Sequence, residues 1–235
     1  MFKEAIILAG GFGTRLQSVV NDRPKVLAPV RSRPFLSWIL DYLEEAGVAK
    51  VILATGYMHE AVEETFQNQY KEIEINYSRE TEPLGTGGAI KKAMGLIDGK
   101  RALVLNGDTL FRVNLRRFYD FALANQAPAA LVLREVDEVS RYGAIGLDAD
   151  NRITTFMEKG SLSGKGLING GIYSLRKEWF LDNSPSDKFS IEKDLFERNA
   201  DKHTLFGMVC KQYFIDIGIP EDYEKAQNDF ITFER

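Results

Sequence analysis

The chain opens on Ala5-Ile6-Ile7-Leu8-Ala9-Gly10-Gly11-Phe12-Gly13-Thr14-Arg15-Leu16, an apolar strand that runs straight into a glycine-rich turn. Without side chains at Gly10, Gly11 and Gly13, backbone N–H groups can close on an anion. Arg15 and, ten residues on, Lys25 of the Arg23-Pro24-Lys25 run supply fixed positive charge for the same anion. The pattern is that of a site for a phosphate chain, and two common phosphate loops fail on spacing. A P-loop needs a second glycine five residues after the first, yet positions 15 and 16 hold Arg15 and Leu16. The dinucleotide fingerprint fits Gly11 and Gly13 but meets Leu16 where its third glycine belongs.

Beyond the turn, short apolar strands alternate with amphipathic helices. Strands are expected over residues 4–9, 51–55, 73–77 and 102–106. Phe35, Trp38, Ile39, Tyr42 and Leu43 recur at steps of three and four, one apolar stripe on a helix. Pro34 suits the start of that helix and Gly47 its end. Further helices are expected over 59–66, from the 85–88 turn to near Gly95, and over 115–125. This alternation predicts an α/β fold, Rossmann-like, with a mixed, mostly parallel sheet and helices on both faces. In the second half, strands at 129–134, 144–147, 153–156 and 170–175 are joined by turn residues, which suggests mixed or antiparallel pairing. Helices follow near 190–198 and 221–231. Ser190 is the expected N-cap of the first, with Lys193 where a capping box would place an acid.

At 235 residues and 44% apolar content the chain suits one domain over its whole length. No hexapeptide repeats are present, so no appended left-handed β-helix is expected. A net charge of −4 gives no reason to expect nucleic acid or an anionic membrane as partner. The single cysteine, Cys210, excludes a disulfide framework and reads as a small core residue. His59 and His203 lack metal-ligand spacing and read as surface or loop histidines. The first strand leaves no room for a basic leader, and no apolar run is long enough to span a membrane, so a cytoplasmic protein is expected.

Three further elements carry chemistry. The apolar run 102–106 leads into Gly107-Asp108, which places a carboxylate at the carboxyl edge of the sheet, where open α/β sheets bind ligands. A second apolar run, Tyr213-Phe214-Ile215-Asp216-Ile217-Gly218, also ends in an aspartate. Two such carboxylates can share one Mg²⁺, with phosphate oxygens and water as its remaining ligands. Glu80-Thr81-Glu82-Pro83-Leu84-Gly85-Thr86-Gly87-Gly88-Ala89 follows a strand and opens a helix, so free N–H groups are expected in its turn. Glu80 and Glu82 would repel a triphosphate. They suit guanine, whose N1–H and N2–H donors lie side by side and can both be accepted by one carboxylate.

Together with Arg141-Tyr142-Gly143-Ala144-Ile145, Phe156-Met157-Glu158-Lys159 and Leu167-Ile168-Asn169-Gly170-Gly171-Ile172-Tyr173, these motifs resemble the sugar-phosphate nucleotidyltransferases. Enzymes of that family join a nucleoside triphosphate to a sugar 1-phosphate on a fold of the nucleotide-diphospho-sugar transferase, or glycosyltransferase-A, type. The resemblance runs from Ala5 to the last helix. It implies Mg²⁺ on Asp108 and Asp216, and catalytic roles for Arg15, Lys25, Asp108 and Asp216. It implies a nucleotide site at Leu8, Ala9, Gly10, Gly11, Gly13, Thr14, Arg15 and Lys25, continued by Glu80, Glu82, Gly85, Thr86 and Gly87. Gly143, Glu158, Asn169 and Gly170 are implied at the sugar, and Lys159 at its phosphate. The runs 82–90, 166–173 and 213–223 resemble the guanylyltransferases that act on D-glycero-α-D-manno-heptose 1-phosphate. Mannose 1-phosphate guanylyl transfer, uridylyl transfer to an N-acetylated sugar phosphate, and a non-catalytic nucleotide-sugar sensor stay open as alternatives. The partners implied are small molecules, with a homo-oligomer possible.

Overall fold

The computed structural model describes residues 1–11, 13, 16, 19–140, 142–157 and 162–233. Its first half runs β1 (Glu4–Leu8), β2 (Pro29–Val30), β3 (Arg33–Pro34), α1 (Phe35–Glu45), β4 (Lys50–Thr55), α2 (His59–Phe66), β5 (Gln69–Tyr70), β6 (Ile73–Arg79), α3 (Gly85–Met94) and β7 (Arg101–Asn106). The second half adds β8 (Thr109–Phe111), α4 (Leu115–Ala124), β9 (Ala129–Val136), β10 (Ile145–Leu147), β11 (Ile153–Phe156), β12 (Gly166–Arg176) and α5 (Lys177–Asn183). Then come β13 (Leu205–Cys210), β14 (Phe214–Asp216) and α6 (Pro220–Asp229).

β1 lies at the centre of the main sheet, parallel to β4 on one side and β7 on the other, and β4 is parallel to β6. Strands paired on both sides and covered on both faces read as continuous apolar runs, and β1 does so with Ala5, Ile6 and Ile7 fully buried. The side-chain alternation of a strand sends Ala5 and Ile7 to one core and Ile6 to the other. The first core is closed by residues of α1, α2, α4 and α6, the second by α3, α5 and the helical segment Ile191–Glu197. Phe230 ties the C-terminal end to α1, with its ring 4.9 Å from Trp38 and 6.0 Å from Phe35.

The second half is mixed. β12 runs antiparallel to both β7 and β9, β10 is antiparallel to β11 and β12, and β13 joins β9 in parallel. β12 starts at Gly166, four residues before the expected strand, because β9 and β10 both extend the ladder there. Its register slips between Asn169 and Tyr173. The slip centres on Gly171, whose φ of +73° is a left-handed conformation that L side chains rarely adopt. The segment after Ser190 is helical as expected, but wound as a π-helix. Ser190 caps it by accepting from Lys193 N at 3.3 Å, and the reciprocal acid is Asp194, one residue later than a capping box would have it. The sequence reading missed the short strands β2, β3, β5 and β8 as well as β13 and α5, and Cys210 proves to be a buried residue of β13.

A methyl group added to Gly171 would lie 2.8 Å from Asn106 Nδ2, whereas one on Gly164, at φ +90°, would meet nothing within 4 Å. Gly164→Ala should therefore lose only the conformational cost, about 1–2 kcal/mol. Gly171→Ala should lose more, roughly 2–4 kcal/mol, through added displacement of Asn106. Urea denaturation of both variants measures this, and equal losses would show that the Asn106 contact contributes nothing.

Candidate active site

Backbone register decides where the site forms. Leu8 stands level with Ala54 of β4 and Asn106 of β7, so three parallel strands end together. The ladder continues past their ends: Ala9 N donates to Ala54 O at 2.8 Å, Gly107 N to Leu8 O at 3.0 Å, and Glu80 N to Thr55 O at 2.7 Å. The loops leaving β1, β4, β6 and β7 are thus fixed side by side. Between them lies a cavity of about 500 Å³. β1 supplies Leu8, the turn after it Gly10 and Gly11, the loop after β6 Glu80 and Glu82, and α3 Gly85 and Thr86. Lys25 and Asp108 also line it. Each of these was expected from the sequence.

Lys25 Nζ and a carboxylate oxygen of Asp108 form an ion pair on the cavity wall. Burial raises the Asp108 carboxyl, but the Lys25 charge and hydrogen bond, with a 3.0 Å bond from Thr109 Oγ1, outweigh it and hold the group below the usual carboxylate range. Asp216 does not line the cavity, yet it is brought beside Asp108. β14 pairs antiparallel with β8, with Asp216 level with Thr109, and Ile217 N donates to Asp108 O at 2.9 Å. Asp216 Oδ1 accepts from Gly218 N at 2.7 Å. Among the described residues no third metal-ligating side chain joins them. Two carboxylates on neighbouring backbone segments are hard oxygen donors of the kind Mg²⁺ takes when phosphates and water complete its shell. The donor set therefore fits that ion.

The glycine-rich turn at α3 differs from expectation. Its amides were expected to be free for a ligand, but Gly87 N and Gly88 N both donate to Phe189 O, at 2.9 and 3.3 Å. Gly87 is a packing glycine: a Cβ there would lie 2.2 Å from the Phe189 ring. It is buried and contributes nothing to the cavity wall. Ala9 is likewise buried, its N–H spent on Ala54. Gly13 lines a small neighbouring pocket with Lys25 and Tyr57. Of the expected sugar contacts, Gly143 is buried with its N–H on Val139 O, and Gly170 is packed where a Cβ would meet the Phe111 ring at 2.7 Å. Asn169 lies on β12, outside the cavity lining. Thr14, Arg15, Glu158 and Lys159 lie outside the described residues.

Gly56 and Tyr57, after β4, and Asn106, at the end of β7, line the cavity and were not foreseen. The rule that located Asp108, the loop after a parallel strand, applies equally to the Thr55-Gly56 step and would have found the first two.

A family model described as nucleotidyl transferase matches residues 4–232. The chain belongs to the nucleotidyl transferase family. It is 47% identical over 96% of its length, and 97% of the relative's, to a D-glycero-alpha-D-manno-heptose 1-phosphate guanylyltransferase of Aneurinibacillus thermoaerophilus. A Campylobacter jejuni protein of the same name is 43% identical over 94% of this chain and 96% of the relative. The crystal structure of HddC from Yersinia pseudotuberculosis complexed with GMP-PN superposes with a TM-score of 0.85 at 39% identity, covering 98% of this chain and all of that one. Among the described residues no helix is long and apolar enough to cross a membrane.

Glu80 shows how tightly the nucleotidyltransferase cavity is built. Its Oε2 accepts from Leu84 N at 2.9 Å. Burial, opposed only in part by that bond and by Lys92, raises its carboxyl above the usual range. A group with a raised acid pKa loses native stability as pH rises from its unfolded value to its folded one. Glu80→Gln keeps an acceptor for Leu84 and removes the charge. Its stability relative to the parent should therefore climb as pH rises through and just above the carboxylate range, then level off. Urea midpoints between pH 4 and 7 measure this, and a gap independent of pH would refute it.

Proposed function

We propose that the chain is a guanylyltransferase that joins GTP to a sugar 1-phosphate of manno configuration, D-glycero-α-D-manno-heptose 1-phosphate first among them, and releases pyrophosphate. One observation carries the reading. A single cavity holds a lysine–aspartate pair suited to phosphates and two carboxylates, Glu80 and Glu82, suited to guanine. High identity over nearly the full length of two heptose 1-phosphate guanylyltransferases supports the choice of substrates.

In the proposed reaction an oxygen of the sugar phosphate attacks the α-phosphorus of GTP. The new P–O bond forms as the bond to the β-phosphate oxygen breaks, and pyrophosphate departs with the electron pair. The attacking phosphate is already ionised at neutral pH, so no general base is required. Such transfers ask the protein mainly for positioning and charge neutralisation. Magnesium bound at Asp108 and Asp216 would supply positive charge beside the reacting phosphates. Lys25, as a compact point charge, neutralises charge growing on the leaving pyrophosphate. Arg15 is proposed for the same phosphates, and Lys159 for the phosphate of the sugar. Glu82 is the proposed guanine reader. Glu82 is exposed at the cavity, whereas Glu80 already accepts from Leu84. The proposed compartment is the cytoplasm, where nucleoside triphosphates are available.

Pyrophosphate release across four nucleoside triphosphates and a panel of sugar 1-phosphates tests the reading, with GTP and the heptose phosphate expected to give the highest kcat/KM. A preference for UTP would move the protein to uridylyl transfer. No pyrophosphate release with any pair of substrates would favour the non-catalytic nucleotide-sugar sensor. Asp108→Asn and Asp216→Asn should each lower kcat by roughly a hundredfold or more, the scale of a lost transition-state electrostatic group. Near-parental turnover of either at saturating Mg²⁺ would remove that aspartate from the metal site.

A further inference from the structure

Asp216 reaches the site on a ribbon that stands apart from the main sheet. β8 and β14 form a separate two-stranded sheet, three residues against three, and a ribbon of that length is marginal by itself. Directly opposed residues share a face, and successive pairs alternate between the two faces. Leu110 and Ile215 form one pair, buried in the first core. The pairs Phe111–Phe214 and Thr109–Asp216 stand on the other face. Arg134 meets that second face from the main sheet. It lies on β9, partly buried, on the same side of the strand as Ala130 and Val132. Its guanidinium carbon stands 5.3 Å from the centre of the Phe214 ring and 5.9 Å from that of Phe111, and the two rings meet edge to face at 5.2 Å. Its Nη1 donates to Gln212 O at 2.7 Å, in the link between β13 and β14. Phe111 in turn fills the space beside Gly170 of β12, where a Cβ would meet the ring at 2.7 Å.

We propose that Arg134 is a positioning residue that fixes the β8–β14 ribbon on the main sheet and so holds Asp216 in place for the reaction. The role rests on the guanylyltransferase reading, which gives Asp216 a share of the metal. A cation within about 6 Å of an aromatic face is attracted by the ring, and a hydrogen bond from a charged donor is stronger than a neutral one. Arg134 makes both contacts, and they fall at Gln212 and Phe214, just before Asp216. Beyond Asp216 the ribbon is joined to the first aspartate by the bond from Ile217 N to Asp108 O. The segment that carries Asp216 is thus held at both ends, by Arg134 before it and by Asp108 after it. Arginine suits this place because its flat guanidinium can lie against rings and donate in its own plane at the same time. Lysine offers a point charge without that plane.

The test compares Arg134→Met, which keeps an unbranched apolar stem and loses the charge and donors, with Arg134→Lys, which keeps the charge. Amide hydrogen exchange in the full chain without ligand reads the ribbon directly. In Arg134→Met the N–H groups of Ile217 and of Arg112, which donates to Tyr213 O at 3.0 Å, should exchange about tenfold faster or more, the scale of one lost hydrogen bond from a charged group. The N–H of Gln67, at the far end of α2, should keep its rate. In the active enzyme the Mg²⁺ concentration that gives half the maximal rate should rise about tenfold in Arg134→Met, and saturating Mg²⁺ should return kcat to within about threefold of the parent. Arg134→Lys should fall between the two in both measurements. An arginine that only adds stability would lower the melting temperature and leave the Mg²⁺ demand of the folded enzyme as it was. Should Arg134→Met fold poorly, Phe214→Leu, which keeps apolar bulk and removes the ring beside the guanidinium, should show the same pattern at about threefold. Unchanged exchange at Ile217 and Arg112 in a folded variant, or an unchanged Mg²⁺ demand in an active one, overturns the positioning role and leaves the guanylyltransferase reading standing. A parental protein without transferase activity, or active without a divalent cation, overturns that reading or its metal site, and the exchange rates then decide the positioning role by themselves.

Discussion

The parallel pairing of β1 with β4 and β7 is the constraint on which the rest depends. A strand held on both sides cannot slip by one residue without sending Ala5 and Ile7 to the wrong core. That register brings Leu8, Ala54 and Asn106 to one level, and the next residues of each strand have nowhere to go but into adjoining loops. The cavity is the space these loops leave. Its walls are as rigid as the ladder beneath them, because Ala9, Gly107 and Glu80 extend the ladder's hydrogen bonds beyond the strands. Catalysis by positioning needs such a frame, since a misplacement of about 1 Å can cost a hundredfold.

Charge is arranged locally against the overall balance. The chain carries a net −4, yet the part of the cavity wall proposed for the phosphates carries Lys25. Its partner, Asp108, stays ionised because the lysine's field and hydrogen bond outweigh burial. The opposite result appears at Glu80, where the Lys92 charge and the Leu84 N–H offset burial only in part. Two carboxylates of one cavity thus carry opposite shifts, set by their neighbours rather than by residue type.

The segment from Asp187 to Glu197 has a double part. Phe189 fills the space left by Gly87 and takes the amides of Gly87 and Gly88, which fixes the entry of α3. Glu192, three residues on, accepts from Thr86 at the cavity wall. Loop amides that look available for phosphate in the sequence are thereby spent on the protein itself. In the proposed reading this leaves Gly10, Gly11 and Lys25 of the cavity wall for the phosphates.

Much of this was legible in the sequence. Strand-to-turn junctions marked by glycine and aspartate identified Gly10, Gly11, Lys25 and Asp108, and apolar periodicity identified most helices and the parallel half of the sheet. These are local signals: a buried parallel strand must be apolar, and an edge that binds anions must lose its side chains. The pairing of β14 with β8 that sets Asp216 level with Thr109, the early start of β12 and the diversion of Gly87 from ligand to packing were decided by tertiary structure alone. Each depends on which distant segment arrives to take a hydrogen bond or fill a gap. The free N–H of a glycine turn looks the same in sequence whether its partner is a phosphate or the carbonyl of Phe189, a hundred residues away.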